Sequence, residues 1–235
     1  MLPAMLSVTV RCNMPNKHES PGLRATLLLF AALWSGAICA EELTQQKYQA
    51  AEGQRGVVLL GVNWGRAWNY CGFENVQLQG LSFDRMPITR TDDSSPSDIR
   101  LKGPKLTAEP VSVTYALLLD PGEYALTGFH IKAAASIKDI GAFRASRSEL
   151  IKDGVPLAGS FDVAAGEIVY IGNFAPDCPQ QNHPVVWRYY LKDVAAFRQY
   201  VDKLKGKYPY LDLDATQYRL FKTTTIGNDF ELPSE

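Results

Sequence analysis

The stretch LLLDPGEYALTGFHI, residues 117–131, sets the fold class. An apolar run is followed by Pro121-Gly122 and then by a second run in which apolar and polar residues alternate, the period of a half-buried β-strand. Pro121 presets φ for the first corner of a tight turn, and Gly122 can take the positive φ that a type II turn needs at the second. The stretch therefore predicts a hairpin between strands over residues 111–119 and 123–132. The same grammar returns in FDVAAGEIVYIGNF, residues 161–174, with Gly166-Glu167 standing as Gly122-Glu123 does and Gly172 as Gly128 does. A second hairpin, 161–163 with 167–173, is expected there.

Downstream, VVWRYYL at 185–191 reads as a last strand. The pattern then changes: Val194, Phe197, Val201 and Leu204 recur at helical spacing, with Asp193 placed as N-cap and Gly206 as the stop, so an amphipathic helix should pack on the sheet. Residues 208–221 fit a strand or a short helix, and 226–235 read as a loose end. Upstream, residues 57–62 form an apolar β-branched run expected to be a strand buried on both faces or at a sheet centre. In residues 73–84, FENVQLQGLSFD, the alternation slips phase at Gly80, the mark of a β-bulge. TRTDDSSPS, 89–97, reads as a solvated loop, 147–152 as a short helix and Asp153-Gly154 as a turn. Together these predict a mainly β fold, an antiparallel β-sandwich with an amphipathic C-terminal helix. Its divisions are a signal peptide at 1–40, a polar leader at 41–55, the sandwich at 56–191 and a helical addition at 192–235.

Pro121-Gly122-Glu123-Tyr124 and Ala165-Gly166-Glu167-Ile168-Val169-Tyr170-Ile171-Gly172 resemble the PGxY and AGxxYYIG signatures of uncharacterised bacterial envelope proteins and lipoproteins with an immunoglobulin-like or transthyretin-like β-sandwich. The likeness covers residues 111–174, with Val169 where a second Tyr is usual. It implies the fold and an envelope location and carries over no catalytic residue.

The address is also written at the start of the chain. Arg24, the apolar run 25–33 and Ala40 before Glu41-Glu42 have the parts of a secretory signal, with Met14 as a more ordinary start. Ile38 before Cys39 departs from a lipoprotein signal, so a periplasmic protein is expected ahead of a lipid-anchored one. The run is shorter than the ~20 residues a membrane span needs. The whole chain has 24 basic and 25 acidic residues. Removing 1–40 takes Arg11, Lys17, Arg24 and Glu19, and the remaining net charge near −3 argues against nucleic acid and against a polybasic membrane patch. Cys71 and Cys178 remain after cleavage, and an oxidising compartment would join them; the alternative is two buried thiols.

No catalytic group stands out, and no cofactor or metal is expected. His130 and His183 lack a second ligand at metal spacing, and Ser160 lacks a nucleophile elbow. Glu123 and Glu167 fall at turns, and Asp92, Asp93 and Asp98 do not match a calcium loop. A Cys178–His183 nucleophile would be abolished by a disulfide. One constellation invites binding: in an extended chain Trp64, Arg66, Trp68 and Tyr70 share a face and would offer an aromatic platform with a guanidinium. The competing reading places one or both Trp in the core with Arg66 stacked on a ring. The expected function is that of a non-enzymatic envelope binding or accessory module with a protein or glycan partner. The alternatives are a hydrolase of envelope polymers and a carbohydrate-binding module using Trp64, Arg66 and Trp68.

Overall fold

The structure, a computed structural model, describes residues 43–90, 92–103, 112–189, 191 and 193–219. The signal segment and the loose end expected from the sequence lie outside the described residues. In chain order the strands are β1 (Gly56–Asn63), β2 (Arg66–Tyr70), β3 (Phe73–Arg85), β4 (Ile99–Lys102), β5 (Ser112–Leu119), β6 (Gly122–Ala134), β7 (Ile140–Ala145), β8 (Ile151–Lys152), β9 (Val155–Pro156), β10 (Ser160–Val163), β11 (Ile168–Gln180), β12 (His183–Tyr189) and β13 (Gln217–Tyr218). The helices are α1 (Gln45–Ala50), α2 (Arg147–Leu150) and α3 (Val194–Lys205).

Two sheets face each other. The first runs β12-β11-β1-β5, with β13 added beside β11. The second runs β10-β6-β3-β2, with β4 following β2 along the free edge of β3 and β7 sharing the outer edge of β6 with β10. The second sheet is antiparallel throughout, whereas in the first β1 and β13 each lie parallel to β11. The sandwich is therefore mainly, but not wholly, antiparallel.

Between the sheets, Val58, Leu60 and Val62 of β1, Leu117 and Leu119 of β5 and Ile171 of β11 meet Leu78, Leu81 and Phe83 of β3, Leu126 and Ile131 of β6 and Phe161 of β10. The opposite parity of β1, Val57 and Leu59, faces a second cluster with Tyr170, Leu118, Val201, Leu204 and Tyr208. Both faces of β1 are thus covered, as its unbroken apolar run requires. Each fully buried aliphatic contributes about 2 kcal/mol on transfer.

Both predicted hairpins fold differently. The turn at Pro121-Gly122 does not return β6 alongside β5: β5 pairs with β1 in the first sheet and β6 with β3 in the second. Likewise β10 pairs with β6 while β11 pairs with β1. Each unit is an arch that carries the chain from one sheet to the other, its strands meeting through side chains rather than backbone hydrogen bonds. Gly122 has φ +153°, not the value of a type II corner, and Gly166 has φ +72°. The arches lie side by side, since β10 and β6 pair and the rings of Tyr124 and Phe161 stack at 5.7 Å.

Other local readings hold. The ladder shifts register between Leu78 and Gly80, at the phase slip. Asp153 and Gly154, both at positive φ, turn β8 into β9. Asp193 caps α3 by accepting from the Ala196 amide at 2.8 Å, and α3 ends at Gly206. Residues 45–50, in the polar leader that reads as a mobile segment or a frayed helix, form the helix α1, and Leu43 beside it is buried in the helix-side cluster.

Candidate functional site

The row Trp64, Arg66, Trp68 and Tyr70 is divided by Gly65. Trp64 precedes β2 and turns inward: it is fully buried, its Nε1 donates to the Tyr115 hydroxyl at 2.8 Å, and its carbonyl accepts from Gln77 Nε2 at 2.9 Å. A Cβ on Gly103 would approach the Trp64 ring to 3.0 Å, so the indole lies against bare backbone. Arg66 and Trp68 stay outside, with the guanidinium 5.2 Å from the ring centroid and Trp68 52% exposed. Past Asn69, at φ +50°, Tyr70 donates to Asp177 Oδ1 at 3.1 Å in the opposite sheet. Burial, followed by that carboxylate, raises the Tyr70 pKa. Arg66 and Trp68 are thus the two members of the row that form a surface pair.

That pair lies on the outer face of the second sheet, where directly paired residues share a side. The first cross-strand row is Trp68, Asn75, Ala134 and Ile140, and the next is Arg66, Gln77, Lys132 and Ala142. Lys102, Gly80, His130 and Arg144 follow, then Arg100, Ser82 and Gly128. No carboxylate interrupts these rows. Arg66, Arg100, Lys102, Lys132 and Arg144 form no ion pair among the described residues. Gly80, Ser82 and Gly128 keep the middle of the face low, so the cations flank a shallow strip. Burial, with Arg144 adding repulsion, lowers the His130 pKa, so its ring is neutral at pH 7.

The far end of the same face is closed. Asp84 is completely buried and its carboxylate accepts from Thr127 Oγ1 at 2.6 Å, Arg90 at 2.9 Å, Arg147 Nε at 3.0 Å and the Asp98 amide at 3.0 Å. Arg147, also buried, reaches the carbonyls of Asp92 and Ser95, while Asp93 accepts from the amide and hydroxyl of Ser148 at 3.1 and 2.7 Å. The segment read as a solvated loop is therefore stitched down over a buried ion pair. With four donors on it, the Asp84 carboxylate is engaged as a structural tie rather than presented to a ligand. Beside it, an open cleft of about 410 Å³ is lined by Arg85, residues 86–89, Arg90 and Asp98.

The remaining candidates are spoken for individually. Cys71 and Cys178 are joined, with Cα atoms 5.4 Å apart, so the Cys178 sulfur is not a nucleophile. His183, exposed at the start of β12, contacts the Gln181 carbonyl through Nδ1 at 3.2 Å. Ser160 donates to Glu123, and Glu167 accepts from the Ala164 amide and from Arg219, so the two glutamates serve separate local contacts. Asp92 binds Ser94 and Ser95, and Asp98 binds Arg90 and the Arg85 amide.

Sequence reading missed both halves of this face. Asp84 occupies an outward position in its strand, where a charge is ordinary, and nothing local announces that Arg147 will cover it. The basic rows draw on four strands and appear only with the register. The chain matches no protein-family model, no curated protein and no solved structure.

Proposed function

We propose that this protein is an extracytoplasmic, non-catalytic binding module of the cell envelope, working through the outer face of the second sheet. The observation that carries the reading is the contrast between the two ends of that face. At one end every carboxylate is taken up by protein donors. At the other, Trp68 stands open beside a half-buried Arg66 and four further cations that form no ion pair among the described residues. Exposed aromatic and Arg side chains are the types that anchor partners.

The signal-like start of the chain and the resemblance of its two arches to envelope-protein signatures support the location. The disulfide fits an oxidising compartment. The hydrolase alternative loses its best acid–base pair, because Glu123 and Glu167 are committed to different neighbours. Exposed Trp68 keeps a carbohydrate-binding module as the second reading.

Immobilised protein incubated with envelope extract tests the proposal. Retention of an envelope component by the natural protein, and its loss with Trp68→Ala, supports it. Failure to retain anything, combined with turnover of a peptidoglycan fragment, would overturn it.

A further inference from the structure

We propose that the end of this face formed by β2 and the β6–β7 turn docks on an anionic lipid surface, with Ile137 and Ile140 entering the headgroup layer, Trp68 at the interface and the basic rows facing lipid phosphates. The proposal rests on the binding-module reading and gives it a partner.

The apolar half of the argument is the placement of exposed side chains. Ile137 is 89% exposed, and Ile140 and Trp68 are each 52% exposed; with Val155 these are the large exposed hydrophobics among the described residues. Three of the four gather at one end of one sheet. Trp68 and Ile140 belong to the same cross-strand row, and Ile137 sits in the turn that leads into Ile140.

That turn is held in shape. The Ser136 hydroxyl accepts from the amides of Lys138 and Asp139 at 3.3 and 3.1 Å, and the Ala135 amide donates to the Asp139 carbonyl at 2.9 Å. Ile137 is therefore presented at an ordered apex. At 89% exposure Ile137 adds little to packing among the described residues, and it suits insertion into an acyl boundary, where Trp also prefers the headgroup level.

The polar half is charge. Behind the apex lie Arg66 and Lys132, then Lys102 and Arg144, then Arg100, and Lys138 stands in the turn itself. Glu74, Asp139 and the Tyr70-bonded Asp177 are the carboxylates at this end, against six cations, so the local balance is positive although the chain as a whole is not. Juxtamembrane cations act additively on an anionic surface. A glycan partner would use Trp68 and the cations but would leave Ile137 without a role, and a nucleic-acid strand would call for several stacking aromatics where the face has one.

The full chain is purified and mixed with vesicles of phosphatidylcholine, with or without phosphatidylglycerol, and binding is read by co-sedimentation and Trp emission. Expected are binding to the phosphatidylglycerol vesicles only, a blue shift that disappears in Trp68→Phe, and loss of binding at high salt. Ile137→Asp should weaken binding roughly tenfold, since one inserted side chain is lost. Lys132→Glu with Arg144→Glu should weaken it on the order of 100-fold. Ile137 and Arg144 are exposed and Lys132 is half-buried, and unchanged melting confirms that the variants fold. Binding to a soluble polyanion that Ile137→Asp leaves intact would overturn the lipid proposal in favour of an anionic glycan. No vesicle binding would also overturn it, while retention of a protein or glycan from envelope extract would leave the module reading standing.

Discussion

At Gly65 the fates of two tryptophans separate. Trp64 is enclosed by both sheets and hydrogen-bonded through its indole, so Trp64→Ala should cost about 3–5 kcal/mol by removing a large buried ring. Trp68→Ala, on the open face, should change stability by no more than about 0.5 kcal/mol. Urea midpoints at constant slope check the pair. Asp84 is the other residue whose weight belies its position: Asp84→Ala would strand the buried Arg147 guanidinium, and a loss of about 3–5 kcal/mol is expected on the same measurement. The strand period places Asp84 outward in β3, but it sets Trp64 in one row with Arg66 and Trp68, which Gly65 divides. It is silent on which of them a neighbouring segment will cover, because that depends on Gly103 and Arg147, both distant in sequence.

Among the elements, the two arches carry the lesson. Alternation and Pro-Gly chemistry are properties of adjacent residues, and they locate β5, β6, β10 and β11 well. Pairing is a property of residues far apart, and a tight turn serves an arch as readily as a hairpin. The caps of α3, the bulge at Gly80 and the turn at Asp153-Gly154 were legible because each is settled within a few residues. At the first arch, Gly122 holds a φ of +153°, and an added Cβ would come within 2.8 Å of Arg85 Nε. Gly122→Ala should therefore cost about 1–3 kcal/mol, measured by thermal melting.

The segment over Asp84 has its own pH dependence. Hydroxyl donors, chiefly Ser94 and Ser95 for Asp92 and Ser148 for Asp93, hold both carboxyls below the ordinary carboxylate range. A carboxyl whose pKa is depressed on folding adds stability above its unfolded pKa, near 4, and loses it as pH falls through the folded value. Residues 92–98 should therefore stay protected through mildly acidic pH and open only in strong acid. Amide exchange at Ser95 and Ser148, followed on lowering pH, should show that order; opening near neutrality would contradict it.

On the scale of the whole molecule, three layers are held in order: the second sheet, the first sheet, and α3 with its neighbours. The Cys71–Cys178 bridge ties the β2–β3 turn of one sheet to β11 of the other across 107 residues. Loop-closure entropy for that length is worth roughly 4 to 5 kcal/mol. Reduction should lower the melting temperature accordingly, and the Cys71→Ser, Cys178→Ser double variant should match the reduced protein. Net charge is a sum over the chain and says nothing of its distribution: a chain near neutrality is sorted by its fold into a basic face and a carboxylate-rich end. The sum was readable, but the sorting required the register of β2, β3, β4, β6 and β7.

The place of β1 between β5 and β11 also sets a timetable. Val57 pairs with Leu118 on one side and lies beside Ile168 on the other, both far down the chain. As the polypeptide emerges from its N-terminal side, VVLLGV is finished long before either neighbour exists, and it is strand-prone, uncharged and free of proline. Until β5 arrives both aggregation-prone edges of this segment are open, and the edge that β11 takes stays open longer still. The central strand of the finished protein is thus the most vulnerable strand of the nascent one, and recovery on refolding should fall as protein concentration rises.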